Sequence, residues 1–441
     1  MEKSKKTTKS KEEFLQTPKG MRDLIGEDVF LVQGFIEKAS EIAMYYGFQP
    51  IETPILEKEE LFNRGVGEGT DIVSKEMYTV KTKGGDHLAL RPEFTPSVMR
   101  AYFEHGMQSW PQPVMFYSAG PVFRHDNPQK GRWRQFYQFN LEILGTKKSI
   151  ADAMIIMIFS TILKEAGIKD TVVQINSIGD ADCRASYRRE LVTYYKKHLK
   201  GVCADCRERL KTNPLRLLDC KNPHCQEVKE NAPESIAYLC TACKAHFKEV
   251  LEYLDSFGIT YEINSNLVRG MDYYSRTVFE IVVNKKSDAE SEADKVTPLA
   301  IAGGGRYDYL AKVLTGKKDV PGVGGGIGID RVLMQEGYAK LTPRIVKKPK
   351  VFFIQLSQDA KQKSFEIIEI LRKAKVPIAQ SLAKDSLSVQ LALAEKAETP
   401  FALILGQKEA LENTVIVRNM DNRSQDTVKI DKLAEYLKKN F

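Results

Sequence analysis

Between residues 117 and 142 two alternating apolar runs flank a loop of Asn, Pro, Gly and cations, a pattern that predicts a hairpin holding Arg124 near Gln138 and Glu142. On its second strand Gln138, Asn140 and Glu142 share one face, because strand side chains alternate with period two. Polar groups on the covered face of a sheet are costly unless they bind something. The planar fork of Arg124 suits a phosphate, and Glu142 suits an ammonium group. An internal Arg–Glu pair that merely pins the hairpin is the competing reading, and these residues alone leave both open.

Three further stretches carry similar chemistry. Arg269-Gly270-Met271-Asp272-Tyr273-Tyr274 precedes a strand-like run, and adjacent tyrosines in an extended segment point opposite ways, one into a pocket and one behind it. Ala302-Gly303-Gly304-Gly305-Arg306-Tyr307-Asp308 reads as a Gly-rich turn that lets backbone approach a ligand closely. Residues 322–334 read as a Gly-rich strand entering a helix, with Arg331 able to cover a flat ring as a stacked cation.

Six of the seven cysteines lie between Cys203 and Cys243. The two C-x2-C pairs, Cys203 with Cys206 and Cys240 with Cys243, offer four thiolates for a structural Zn2+, with Cys220 and Cys225 competing for the same positions. A helical segment with reduced, partly buried thiols is the alternative.

These groups need elements to position them. Apolar residues at helical spacing predict a helix over 29–46, running into a strand-like stretch whose prolines at 50 and 54 confine it to an edge or an interface. Strands are expected at 87–90, 113–119, 135–144, 172–175 and 277–283, with a helix over 150–166. Long β segments at irregular spacing predict an α+β fold, an antiparallel sheet with flanking helices. The expected organisation is a polar tail (1–16), a core in two parts (17–183 and 261–336), a helical Cys-rich insertion (184–260), a linker (337–350) and a small α/β domain (351–441) with strands at 351–356, 377–382, 401–405 and 414–418.

The net charge of +8 is unevenly spread. Residues 342–441 carry 18 basic and 12 acidic side chains, which suits contact with a polyanion or simply a solvated Lys-rich face. Nowhere does a run of apolar residues reach the length of a membrane span, and the start of the chain has no apolar core of a secretion signal, so a cytoplasmic protein is expected.

Phe123-Arg124-His125-Asp126 with Arg132-Trp133-Arg134-Gln135-Phe136 resembles motif 2 of class II aminoacyl-tRNA synthetases, and the 267–280 and 302–308 peptides resemble two signatures of the histidyl-tRNA synthetases. Residues 322–334 resemble motif 3, Arg91-Pro92-Glu93-Phe94-Thr95 the substrate loop, and residues 17–23 with the Pro54 region the N-terminal signature and the dimer-forming motif 1. The resemblance implies a class II catalytic sheet, a C-terminal anticodon-binding domain, and a homodimer that activates histidine with ATP and Mg2+ and transfers it to tRNA(His). It implies catalytic roles for Arg124 and Arg269 at the α-phosphate, ATP contacts from Arg124, Phe136 and Arg331, and acceptor-end contacts from Gln129 and Arg132. Histidine would meet Glu93, Thr95, Gln138, Glu142, Tyr273, Tyr274 and Tyr307. Two positions depart from the family pattern: Phe94 replaces a Gly, and Asp330 stands where Glu is usual. The rival assignment is a non-catalytic, histidine-sensing regulatory paralogue that controls ATP phosphoribosyltransferase.

Overall fold

The structure, a computed structural model, describes residues 14–284 and 300–440. The tail expected at 1–16 therefore lies outside the described residues up to residue 13. The chain divides into two units, Met1–Pro343 and Arg344–Phe441.

In the first unit the helix Glu27–Tyr45 buries Val32, Phe35, Ala39, Ile42 and Ala43, a stripe at helical spacing. Gly47, at φ +87°, turns the chain into β1 (Gln49–Pro50), which pairs parallel with β5 (Val114–Phe123) at the sheet edge. An edge is where a residue without an N–H is tolerated, as the two prolines require. Between them, β2 (Leu56–Lys58), β3 (Thr79–Lys81) and β4 (His87–Leu90) form a small antiparallel sheet in the order β2-β4-β3.

The main sheet continues with β6 (Gln135–Leu144), β7 (Thr171–Ser177), β8 (Tyr261–Ile263), β9 (Ser275–Val283), β10 (Ala300–Arg306) and β11 (Gly322–Gly328). Its order is β1-β5-β6-β11-β10-β9-β7-β8, antiparallel except for the two edge pairs β1/β5 and β7/β8. The α+β expectation holds. Residues 302–306, read as part of a turn, instead lie in β10, a strand whose glycines leave no side-chain alternation to betray it.

The helix Ser149–Glu165 contributes Ile155, Ile158, Phe159 and Ile162, all fully buried, to the core of this unit. Burying each such side chain stabilises the fold by roughly 1.5–3 kcal/mol. The helix Thr241–Ser256 joins the same core through Phe247, Val250 and Leu254. The last helix of the Cys-rich stretch is thus continuous with the core of the main sheet, because its apolar stripe is buried there.

Arg306 ends β10 completely buried, donating to both carboxylate oxygens of Asp152, to Asp308 Oδ1 at 2.9 Å and to the carbonyls of Thr146 and Lys148. His246 faces Asp152 Oδ1 at 3.2 Å. Burial opposes the charge on Asp152, yet Arg306 and His246 hold its carboxyl down at about 2.

In the second unit β12 (Val351–Gln355), β13 (Ile378–Gln380), β14 (Phe401–Leu405), β15 (Thr414–Asn419) and β16 (Gln425–Lys429) form a sheet in the order β13-β12-β14-β15-β16. The first three strands are parallel and the last two pairings antiparallel. Phe353 and Leu403 face one apolar cluster while Phe352 and Ile404 face another, so both sides of the sheet are covered. β16 goes unread in the sequence because it is a polar edge strand, with only Val428 buried.

Asp152→Asn would leave the Arg306 guanidinium buried with its main counter-charge gone, so the variant should be destabilised by about 3–5 kcal/mol. A carboxyl depressed in the fold contributes stability above its unfolded value that is lost as pH falls through its folded one. Denaturant melts should accordingly show wild-type stability declining between the ordinary carboxylate value of 3.8 and about 2, with a shallower slope in the variant.

Candidate active site

Every polar residue on the inner face of β6 is registered against a glycine of β11: Gln138 with Gly328, Asn140 with Gly326 and Glu142 with Gly324. A Cβ on Gly324 would collide with Glu142 Oε2 and the Leu141 carbonyl, and one on Gly303 of β10 would sit 2.6 Å from Arg269 Nη1. Side chains therefore lie across the glycine strands where a side chain of their own would stand. The sheet has a bare strip, and polar groups fold down onto it.

Above this strip opens a cavity of about 1010 Å³. Its walls include Glu93, Thr95, Arg124, Arg132, Phe136, Gln138, Asn140, Arg269, Tyr274 and Arg331, so ten groups from six chain segments meet in one hollow. The polar groups are of two kinds. Among the guanidiniums, burial and the neighbouring charges of Arg132, Arg124 and Arg269 push Arg331 down to about 10. Its head is held by the carbonyls of Gly131 at 3.3 Å and Ala300 at 2.7 Å. Arg124 lies 5.7 Å from the Phe136 ring and donates from Nε to the Pro92 carbonyl, leaving its two terminal nitrogens for an anion. Burial works against the charge of Arg269, but Glu280, its ion-pair partner, and Tyr274 more than offset this.

The second kind are acceptors. Glu93 Oε2 accepts from Tyr273 Oη at 2.7 Å, while Glu93 Oε1, Gln138 Oε1 and Asn140 Oδ1 are buried without a partner. Glu142 lies behind this wall, accepting from Thr95 at 2.7 Å and from the Tyr307 hydroxyl. Burial pushes its carboxyl up to about 8, and that of Glu93 upward as well. Tyr274 lines the cavity and Tyr273 lies behind it, though the pair sits in a turn instead of an extended segment, with ring centroids 4.7 Å apart. Gln129 and Arg132 close a short turn beside the cavity, where Arg132 also pairs with Asp126 at 2.7 Å.

The two departures have physical explanations. Phe94 has φ −95° and ψ −32°, a helical conformation open to any residue, and its buried ring stacks under Arg91 at 4.2 Å. Glycine is not required there. Asp330 accepts from Arg22 at 2.6 Å and from the Tyr137 amide at 2.7 Å, tying residue 22 to β6.

The cysteines correct the sequence reading. Cys203, Cys206, Cys240 and Cys243 do not form one set: Cys203 and Cys206 gather with Cys220 and Cys225, whereas Cys240 and Cys243 gather with Asp180 and Cys183. Each C-x2-C pair sits at the start of its own helix, Ala204–Thr212 and Thr241–Ser256, so proximity within a pair said nothing about which partners complete it. Asp180 and Cys183 were not anticipated. Neither were the groups that brace the Arg269 turn: Arg184 donates to the Tyr274 carbonyl at 2.8 Å, Arg216 to that of Gly270 at 3.2 Å, and Asn213 to Asp272.

A family model described as histidyl-tRNA synthetase matches residues 20–332, and one described as anticodon binding domain matches residues 350–440. A histidine–tRNA ligase of Caldicellulosiruptor saccharolyticus is 40% identical, covering 96% of this chain and 99% of its own length. One of Dehalococcoides mccartyi is 41% identical over 97% of this chain and all of its own. The crystal structure of apo histidyl-tRNA synthetase from S. aureus superposes with a TM-score of 0.77 at 29% identity, covering 96% of this chain and 100% of that one. By these matches over nearly its whole length, the chain belongs to the histidyl-tRNA synthetase family.

Proposed function

We propose that this cavity joins histidine to ATP as histidyl-adenylate and passes the histidyl group to the 3′ end of tRNA(His). The observation that carries the reading is that crowded guanidiniums and buried acceptors without a partner meet in one hollow. A carboxylate attacking the α-phosphorus brings two anions together, so a site for this step must cancel their repulsion and align them. Arg124 and Arg269 would hold the carboxylate and α-phosphate, while Phe136 and Arg331 would enclose the adenine. Mg2+ arriving on the triphosphate would neutralise further phosphate charge, and Glu280, the partner of Arg269, is one of several carboxylates on the cavity wall that would face it.

Among the acceptors, Glu93 and Gln138 suit the ammonium of an amino acid. Thr95 and Tyr274 on the wall, backed by Glu142, Tyr273 and Tyr307 behind it, suit a ring bearing N–H groups. A buried pocket with such fixed partners rejects side chains that cannot satisfy them. The attacking carboxylate is already ionised, so adenylate formation needs no base. Gln129 and Arg132 would meet the acceptor end of tRNA, and the basic second unit, which matches an anticodon-binding domain, would meet the anticodon. A regulatory paralogue is not favoured, since it has no use for the guanidinium cluster or for a unit matching an anticodon-binding domain. We further take the chain to work in the cytoplasm as a homodimer. None of the helices among the described residues is long and apolar enough to cross a membrane.

Pyrophosphate exchange into ATP, measured with each of the twenty amino acids, should be stimulated by histidine alone; equal stimulation by another amino acid, or by none, removes the reading. Light scattering should return twice the mass of one chain. Gly303→Ala should displace the Arg269 guanidinium and slow adenylate formation about 10²-fold. Both changes act through one side chain, so Gly303→Ala combined with Arg269→Gln should be no slower than Arg269→Gln alone. Additive losses would show that Gly303 does not act by making room for Arg269.

A further inference from the structure

All seven cysteines are reduced, and together with one carboxylate they fall into two sets of four ligand atoms. In one, the Sγ atoms of Cys203, Cys206, Cys220 and Cys225 lie within 4.8 Å of one another, three of the four residues being buried. In the other, an oxygen of Asp180 and the Sγ atoms of Cys183, Cys240 and Cys243 do the same. Tetrahedral zinc at its usual sulfur distance separates two thiolates by roughly 3.8 Å. Cys203 and Cys220 stand at 3.9 Å.

Backbone amides already point at the sulfurs, as they do around metal-bound thiolates. The Cys203 amide donates to Cys225 Sγ at 3.2 Å, the Cys240 amide to Cys183 Sγ at 3.0 Å, and the Cys243 amide to Cys240 Sγ at 3.4 Å. Asp180 splits its carboxylate: Oδ1 accepts from the Cys183 amide at 3.0 Å, and Oδ2 faces Cys243 Sγ at 3.2 Å and Cys240 Sγ at 3.7 Å. Buried reduced thiols need no such convergence.

We propose that the chain binds two structural zinc ions, one in the Cys203/Cys206/Cys220/Cys225 set and one in the Asp180/Cys183/Cys240/Cys243 set. Their positions give them a purpose. The second set joins the start of the helix Ala181–Lys197 to the start of the helix Thr241–Ser256, the points where the Cys-rich stretch leaves the main sheet after β7 and returns to it before β8. It is a clasp at the base of the excursion. The first set closes the segment 203–225, which carries Arg209 and Arg216 onto Asp71 at 3.1 and 2.6 Å and Asn213 onto Asp272. Arg184, next to Cys183, and Arg216, inside the closed segment, are the same residues that hold the Tyr274 and Gly270 carbonyls. Each ion thus fixes a brace of the turn that bears Arg269. Leu210, Leu217 and Leu218 bury this segment in a core shared with the helix Ala181–Lys197, and the ion would tie its irregular ends to that core.

The test is metal content by elemental mass spectrometry on the full chain, purified without chelator. Two zinc per chain is expected, falling to one in Cys206→Ser and to one in Cys243→Ser. Cobalt(II) exchanged into wild type should give sulfur-to-cobalt charge-transfer absorption, more intense for the set left in Cys243→Ser (four thiolates) than for that left in Cys206→Ser (three). If either variant fails to fold, wild-type stoichiometry and stepwise zinc release during thiol titration still decide the matter. Metal-free folded protein with seven freely titrating thiols overturns the proposal, as does a single ion per chain or iron in place of zinc. These readouts do not depend on the reading of the cavity. The purpose assigned to the ions does rest on it, and is checked separately: zinc removal should lower histidine-dependent exchange at saturating substrates, restored by adding Zn2+, and unchanged exchange would sink the bracing role alone.

Discussion

Like charges cannot be packed together without an anion to share, and the first unit is organised around that constraint. Arg331 stands among Arg124, Arg132 and Arg269, its protonated form disfavoured by burial and by those neighbours. The cluster persists because each head is tethered: Arg331 by two carbonyls, Arg124 by the Pro92 carbonyl, Arg132 by Asp126 and Arg269 by Glu280. Held in this way, the guanidiniums cannot turn apart to relieve the repulsion. A polyphosphate in the cavity would share that charge, turning the tethered repulsion into a preference for a polyanion.

The glycine strands make this arrangement affordable in space. β10 and β11 lie in register as Gly304 with Gly325 and Gly305 with Gly324, and the groups from β6 and the Arg269 turn lie over them. Glycine ordinarily weakens a strand. Here the neighbouring strands and the buried apolar face of the helix Ser149–Glu165 supply the missing stability, and the salt-bridged end of β10 at Arg306 anchors the strip.

Much of this was legible in the sequence where periodicity speaks. Gln138, Asn140 and Glu142 alternate on β6 as period two requires, and that strand spans residues 135–144 as read. Signals fail where side chains are missing or partners are distant. β10 has three consecutive glycines and hence no pattern; Arg306 and Asp152 are separated by 154 residues, so nothing local announces their pairing. The cysteine sets show the same limit, because C-x2-C spacing reveals pairs while only the topology reveals which pairs share a site. Phe94 teaches the converse: a residue foreign to a motif fits when its backbone angles are ordinary and a pocket exists for its ring.

The main sheet ends in β1, two residues long and containing Pro50, and in β8, three residues long. Both borders run parallel to their neighbours inside an otherwise antiparallel array. A border this brief presents too few unpaired amides and carbonyls to template a foreign strand, and the proline removes one donor outright. Eight strands of apolar and glycine-rich sequence are thereby kept from growing into a longer ribbon when many copies are crowded together.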